Sequence, residues 1–209
     1  MLMNNLIDAI TKRRSIREYT IHEVSKETCD EILEAATWAP SAHNAQPWRF
    51  SVLVDASAKE ALAEAMAKAW IEDLRKNDTS HKLAQKLIKR SVERFTTAPV
   101  VVIACVAMAE SAKPMEEGRR EIERALALQS LGAAIENLLL AVHSKGLGAC
   151  WYCAPIFCKN IVKEILHLPT SFEPQALVTI GYPSKIPTTP KRKPPQDIFR
   201  VGYWNEKSS

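Results

Sequence analysis

Pro99-Val100-Val101-Val102-Ile103-Ala104-Cys105-Val106 is the stretch on which the fold turns. After the proline, seven residues run without a charge and without any alternation of polar and apolar positions. A strand with one wet face alternates; a run of strand length that does not is buried on both faces. The segment therefore reads as a central strand covered by other elements on both sides. Working toward the N-terminus, residues 81–95 read as a basic helix and residues 59–76 as an Ala-rich one, separated by the break Asn77-Asp78-Thr79-Ser80. Residues 50–54 are apolar and β-branched and read as a strand. Further upstream, Ser25 is placed to cap a helix whose apolar face is Cys29, Ile32, Leu33 and Ala36, with Pro40 as its stop. Leu6, Ile7 and Ile10 mark a short helix ending near Thr11.

Toward the C-terminus, residues 110–118 form a polar loop containing Pro114. Residues 119–144 predict a long helix, with Leu128, Leu131, Ile135, Leu138, Leu139 and Val142 making it apolar nearly all round. So wide an apolar surface implies burial in the core or in a subunit interface, with Glu136 and Asn137 as interface groups satisfied by a partner. Gly146-Leu147-Gly148 ends it. A strand near residues 149–152, a helix around 160–166 and a strand at 176–182 follow. This order does not alternate strictly as βαβ, which favours an α+β fold in a single domain, residues 1–209. From Pro183 the chain is too rich in proline for regular structure. Yet Ile186, Ile198, Phe199, Val201, Tyr203 and Trp204 are too apolar for a free linker. Residues 183–209 therefore read as an extended arm packed on a partner subunit.

The hydrophobic fraction of 46% is enough to build a core. A net charge of +4, with acids interleaved among the bases, points to anionic ligands and not to nucleic acid, and no recognised nucleic-acid module accompanies Lys82, Lys86, Lys89 and Arg90. No uninterrupted apolar run reaches the length of about 18 residues that a membrane span needs. The first residues place charge after the apolar part, unlike a secretory signal, so the expected location is cytoplasmic, with no membrane partner. An odd count of five cysteines then implies reduced thiols. Cys150-Trp151-Tyr152-Cys153 has redox or zinc spacing, but a structural zinc site takes four ligands and only one such pair is present, so no metal is expected.

Two polar segments stand out. Lys12-Arg13-Arg14-Ser15-Ile16-Arg17 packs four cations and a serine into six positions. Guanidinium forks and a hydroxyl suit a phosphate, although such a cluster is more often a solvated face and Ser15 could simply cap a turn. Ala39-Pro40-Ser41-Ala42-His43-Asn44-Ala45-Gln46-Pro47-Trp48-Arg49-Phe50 is a polar, proline-framed loop running into a strand. Gly146 and Gly148 fit a helix terminus, and Lys191-Arg192-Lys193 a solvated patch. His43 lacks a nucleophile and a supporting acid, and no catalytic residue is assigned.

Taken in order, Arg13-Arg14-Ser15-Ile16-Arg17, Pro40-Ser41 with Asn44 and Gln46-Pro47-Trp48, the long helix into Gly146-Leu147-Gly148-Ala149-Cys150-Trp151, and Lys191-Arg192-Lys193-Pro194 resemble the nitroreductase family over nearly the whole chain. The resemblance implies a mainly antiparallel central sheet flanked by helices, an intertwined homodimer with exchanged terminal segments, and an FMN at each of two interface sites. It implies that Arg13 and Ser15 bind the phosphate and ribityl, with Arg14 alongside, and that Arg17 approaches the pyrimidine edge of the ring, where a cation stabilises the reduced flavin. Pro40, Ser41 and Asn44, in the loop that includes Gln46, would come from the partner subunit. Leu147 and Gly148 would offer backbone near flavin N5. Lys191 and Lys193 would complete the phosphate clamp; the family commonly has arginine at the second position, so Arg192 is an alternative ligand. The implied reaction is ping-pong, from NADPH or NADH through FMN to a small organic acceptor. Residues 148–158, Leu168-Pro169 and residues 173–183 look most like the FMN-binding C-terminal domain of the ligase that adds glutamates to a deazaflavin coenzyme. That likeness implies, as an alternative, reduction of a dehydro precursor of that coenzyme. A flavin-handling protein with little nicotinamide-driven turnover is a further alternative.

Overall fold

Alternate side chains of the central apolar run go to opposite faces of a sheet, and each face has its own core. The computed structural model describes residues 2–76, 80–107 and 116–202. Among them are helices α1 (Leu2–Lys12), α2 (Lys26–Thr37), α3 (Ala56–Lys76), α4 (His81–Thr96), α5 (Glu117–Ser144) and α6 (Lys159–Ile165), and strands β1 (Trp48–Leu53), β2 (Val100–Ala107), β3 (Gly148–Tyr152) and β4 (Phe172–Gly181). On one face, Val100, Val102, Ala104 and Val106 pack with Ile32 and Ala36 of α2 and with Leu131, Ile135, Leu138 and Val142 of α5. On the other, Val101, Ile103 and Cys105 pack with Leu62 and Met66 of α3, Phe95 of α4 and Val162 of α6. The two-sided burial read from the sequence is thus observed, because the period of a strand is two.

The strand order is β1-β2-β4-β3, and every pairing between these strands is antiparallel. The fold is α+β, as expected. The outer edge of β3 is covered by a single parallel bridge from Ser15 to Ala149, which blunts a reactive edge. Lys59 of α3 is buried, and its ammonium donates to the carbonyls of Ala98 (2.8 Å) and Pro99 (3.2 Å), tying that helix to the start of β2.

Several boundaries differ from the sequence reading. β4 begins at Phe172, not at 176, because Pro174 is tolerated at a β-bulge: Ala104 pairs with Ala176 and Cys105 with Pro174, leaving Gln175 extra. β1 begins at Trp48, not Phe50. α3 starts at Ala56, where the Asp55 carboxylate accepts the Ala58 N–H at 2.9 Å. Residues 154–158, between the expected strand and the expected helix, form a 3-10 turn. α5 is long and apolar enough to cross a membrane by length and composition, but 44% of its most apolar window is buried against the sheet and α2, as in a core helix. Most of the loop at 110–118, the break at 77–79, and Tyr203 and Trp204 of the arm lie outside the described residues.

Candidate cofactor site

After α1 the chain straightens and lies along β3. The Ile16 N–H donates to the Ala149 carbonyl at 2.9 Å, and Ile16 is buried. The tyrosine three residues on locks the strand-like segment: the Tyr19 hydroxyl donates to the Ile16 carbonyl at 2.7 Å and shares a hydrogen bond with Thr179 Oγ1, also 2.7 Å. Burial raises the Tyr19 phenol pKa, so it stays a donor. The Thr20 N–H donates to Tyr182, and the Ser184 N–H returns the contact to Glu18. Residues 13–20, 147–152 and 179–184, remote in sequence, become one wall.

A hollow of about 350 Å³ opens in that wall, lined by Lys12, Arg13, Arg14, His143, Gly146 and Leu147 among others. The Arg13 Nε is buried and has no hydrogen-bond partner, with the Glu136 carboxylate 3.7 Å away. Arg14 donates to the carbonyls of Thr11 and Arg13, each at 2.8 Å, and to Thr189 Oγ1 at 2.6 Å. That last bond draws the start of the C-terminal arm, two residues short of Lys191, onto the N-terminal motif. Burial first, and then the charges of Arg13 and Arg14, lower the pKa of His143, so the hollow has the field of an anion site. Residues Lys191 and Lys193 are exposed on the arm.

Gly146 ends α5 with a positive φ of 74°, and the Leu147 N–H returns to the Val142 carbonyl at 3.1 Å. Gly148 belongs to β3 and is buried. A Cβ there would lie 2.5 Å from Ile16 Cγ1. The glycine is thus required by Ile16 packing against it, a reason independent of any ligand.

The loop with Pro40, Ser41, Asn44 and Gln46 stands elsewhere. Ser41 Oγ accepts the Gln46 N–H at 3.0 Å, Asn44 Oδ1 accepts from Gln46 Nε2 at 3.3 Å, and the Ala42 N–H reaches Ser130 Oγ at 3.4 Å. His43, Asn44 and Gln46 all have positive φ, a strained geometry for residues with a Cβ. Leu139 and His143, in the hollow, lie nine and thirteen residues beyond Ser130 on α5, roughly 14–20 Å along the helix axis. One chain therefore brings Arg13, Arg14, Ser15 and Leu147 together and leaves the loop outside.

Two further hollows follow, of which the first adjoins the motif. One, of about 190 Å³, is lined by Ser15, Arg17, Glu18, Arg90, Arg94 and Lys185. The other, of about 320 Å³, lies between α3, α4 and the 3-10 turn, with Met66, Trp70, Phe95, Tyr152 and Phe157 in its wall. Arg90 and Arg94 line both. From sequence, Arg90 figured only in the basic helix weighed for nucleic acid, and Arg94 and Thr189 not at all: more than seventy residues separate each from the motif, and no local pattern ties them to it. The cysteines are free, with Cys150 and Cys158 buried and Cys153 exposed.

The sequence profile of the nitroreductase family matches residues 10–182. The chain belongs to the nitroreductase family. Among its relatives, a protein of Methanothermobacter thermautotrophicus with the provisional name NADH dehydrogenase/NAD(P)H nitroreductase is 28% identical over 188 residues, covering 88% of this chain and 81% of the relative. The iodotyrosine deiodinase of Thermotoga neapolitana is 27% identical, covering 96% and 98%. The crystal structure of a BluB-like flavoprotein from Clostridium difficile superposes with a TM-score of 0.81 at 27% identity, covering 95% of this chain and 99% of that one. As a nitroreductase-family protein, the chain is an oxidoreductase.

Proposed function

We propose that this chain is an FMN-dependent NAD(P)H oxidoreductase that reduces a small organic acceptor: a nitro compound, a quinone or an activated double bond. For a nitro acceptor the balance is NAD(P)H + H⁺ + R–NO₂ → NAD(P)⁺ + R–NO + H₂O. FMN, when bound, supplies the hydride relay between donor and acceptor. The observation that carries the reading is the buried Arg13 Nε, which has no hydrogen-bond acceptor and only the long ion pair with Glu136, in a cationic hollow beside the family motif. A buried donor without an acceptor is costly, and a cofactor phosphate would satisfy it. The residues fit the group. The names of the flavoprotein and NAD(P)H nitroreductase relatives point the same way.

In this reading Arg13 and Arg14 hold the phosphate, Ser15 adds a hydroxyl, and Arg17 stands toward the pyrimidine edge of the ring. Lys191 and Lys193, or Arg192, complete the clamp from the arm that Thr189 brings close. Leu147 and Gly148 offer backbone to the ring. Pro40, Ser41, Asn44 and Gln46 come from the second subunit of a homodimer, whose contact also takes residues 183–209. Supporting the dimer are exposed apolar side chains concentrated on α1 (Leu6, Ile7, Ile10) and on the arm (Ile186, Ile198, Phe199, Val201), more than a lone surface usually leaves together. Five free cysteines fit a reducing compartment, and a cytoplasmic location is part of the same proposal.

The test is anaerobic addition of NADPH, and separately NADH, to the FMN-saturated protein. Bleaching of the oxidised-flavin band establishes the donor; a bound flavin that stays oxidised with both rejects nicotinamide-driven turnover. Arg17→Ala is expected to weaken FMN binding or lower its reduction potential, and no change in either would remove Arg17 from the ring.

A further inference from the structure

Arg90 and Arg94 stand one helical turn apart on α4, where like charges repel. They have no hydrogen bond or ion pair among the described residues. Each lines the polar hollow beside Ser15 and also the apolar hollow between α3 and α4. In the polar hollow, Arg17, Arg90, Arg94 and Lys185 face a single carboxylate, Glu18. In the apolar hollow, Trp70, Phe95 and Phe157 offer ring surfaces. The apolar wall also includes Tyr152, packed edge-on against Phe95 with ring centroids 5.1 Å apart. Its Oη is buried and has no hydrogen-bond partner. Burial, with the Cys150 thiol next, keeps that phenol protonated and therefore a donor, while Arg94 and Arg17 lie near enough to act on it.

We infer that this pair of hollows selects the electron acceptor, and that the acceptor is a planar, largely apolar molecule carrying a carboxylate. The body lies against Trp70, Phe95 and Phe157, and the carboxylate lies on the guanidinium groups of Arg90 and Arg94. Three features carry the assignment. Unpaired guanidiniums match a carboxylate fork to fork. They border an aromatic-lined hollow of about 320 Å³, at the small end of ligand pockets and sized for a one- or two-ring compound. And the cationic end also contains Ser15 and Arg17 of the cofactor motif, so an acceptor held there is next to the proposed flavin. The inference rests on the proposed flavin function and narrows its acceptor.

The probes are 4-nitrobenzoate and its methyl ester, which share a body and differ in charge. Their binding to the FMN-loaded protein is measured by calorimetry without NAD(P)H, and their KM values in turnover. The native protein is expected to prefer the acid by about tenfold or more, the scale of a charged hydrogen bond, and less so as salt rises. Arg90→Gln and Arg94→Ala should each cut the acid-to-ester preference, and the double variant should bring it near one. Arg94→Lys should keep part of it, retaining the charge without the fork. Because Arg90 is exposed, Arg90→Gln should fold even where the double variant does not. Equal binding of acid and ester by the native protein overturns the inference, as does a preference that survives in Arg90→Gln and Arg94→Ala. So does a loss of FMN affinity, or of discrimination between NADPH and NADH, in place of the acid preference, since the arginines would then serve a phosphate. A protein that takes up no FMN would remove the proposed function, and the acid-to-ester binding ratio, read without turnover, would still decide the carboxylate site.

Discussion

Added to Gly148, a methyl group would stand 2.5 Å from Ile16 Cγ1, well inside contact distance. Ile16 is pinned by its own backbone bond to Ala149 and by Tyr19, so it has little room to yield. Gly148→Ala should therefore destabilise the fold by about 1–3 kcal/mol, the usual cost of overpacking, read as a lower Tm in thermal melts of the FMN-free protein. Arg13 makes the complementary case. Its Nε makes no hydrogen bond in the protein alone and only a long ion pair, 3.7 Å, with the half-exposed Glu136, so Arg13→Ala should cost little in FMN-free stability. It should raise the FMN Kd by roughly 10- to 100-fold, about 1.4–2.7 kcal/mol and the scale of charged hydrogen bonding, measured by fluorescence titration. The sequence exposed the Arg13–Arg17 cluster because its residue types are sufficient to suggest an anion. It did not reveal why Gly148 is glycine, because that reason is the side chain of a residue 132 positions earlier.

At the scale of elements, β4 is fixed to α5 and α6 through one carboxylate. Glu173 accepts from Arg124 Nε (3.1 Å) and from its terminal nitrogen (2.6 Å), and pairs with Lys159. The Arg124 hydrogen bonds chiefly, and Lys159 after them, hold the Glu173 pKa at about 2 in place of 4.5. A folded-state pKa below the unfolded one means the unfolded chain binds the proton more readily. The stabilisation is thus complete above pH 4.5 and is lost as pH falls toward about 2. Glu173→Gln should lower the urea midpoint at neutral pH and flatten its acid dependence across that window; an unchanged slope would remove the carboxylate from acid unfolding. Most elements were legible from period and caps: Ser25 does accept the Thr28 N–H, at 3.2 Å, at the start of α2, and β2 is apolar throughout. The early part of β4 was not, because Glu173 and Pro174 break any local strand pattern. A bulge opposite Cys105 accommodates them, and only the pairing partner determines a bulge.

For the whole molecule, the unfinished parts are the loop at Pro40–Gln46, far from the Arg13 hollow, and the apolar surfaces of α1 and the arm. Both are completed by a second copy in the proposed dimer. Removal of residues 196–209, which leaves Lys191 and Lys193 in place, should weaken self-association in sedimentation velocity and lower FMN retention with it. A dimer of unchanged affinity would take the end of the arm out of the interface. The sequence by itself determined the α+β class, the two-faced central strand, the cap of α2 at Ser25, the end of α5 at Gly146 and the cationic motif, because period, capping and charge are properties of neighbours along the chain. The tertiary structure alone decided that β3 carries Ser15 on its edge, that Thr189 meets Arg14 and that Arg90 and Arg94 stand over the same hollow as Arg17. Those juxtapositions join residues from about 75 to 175 positions apart, and only the packing of both sheet faces chooses which distant segments meet.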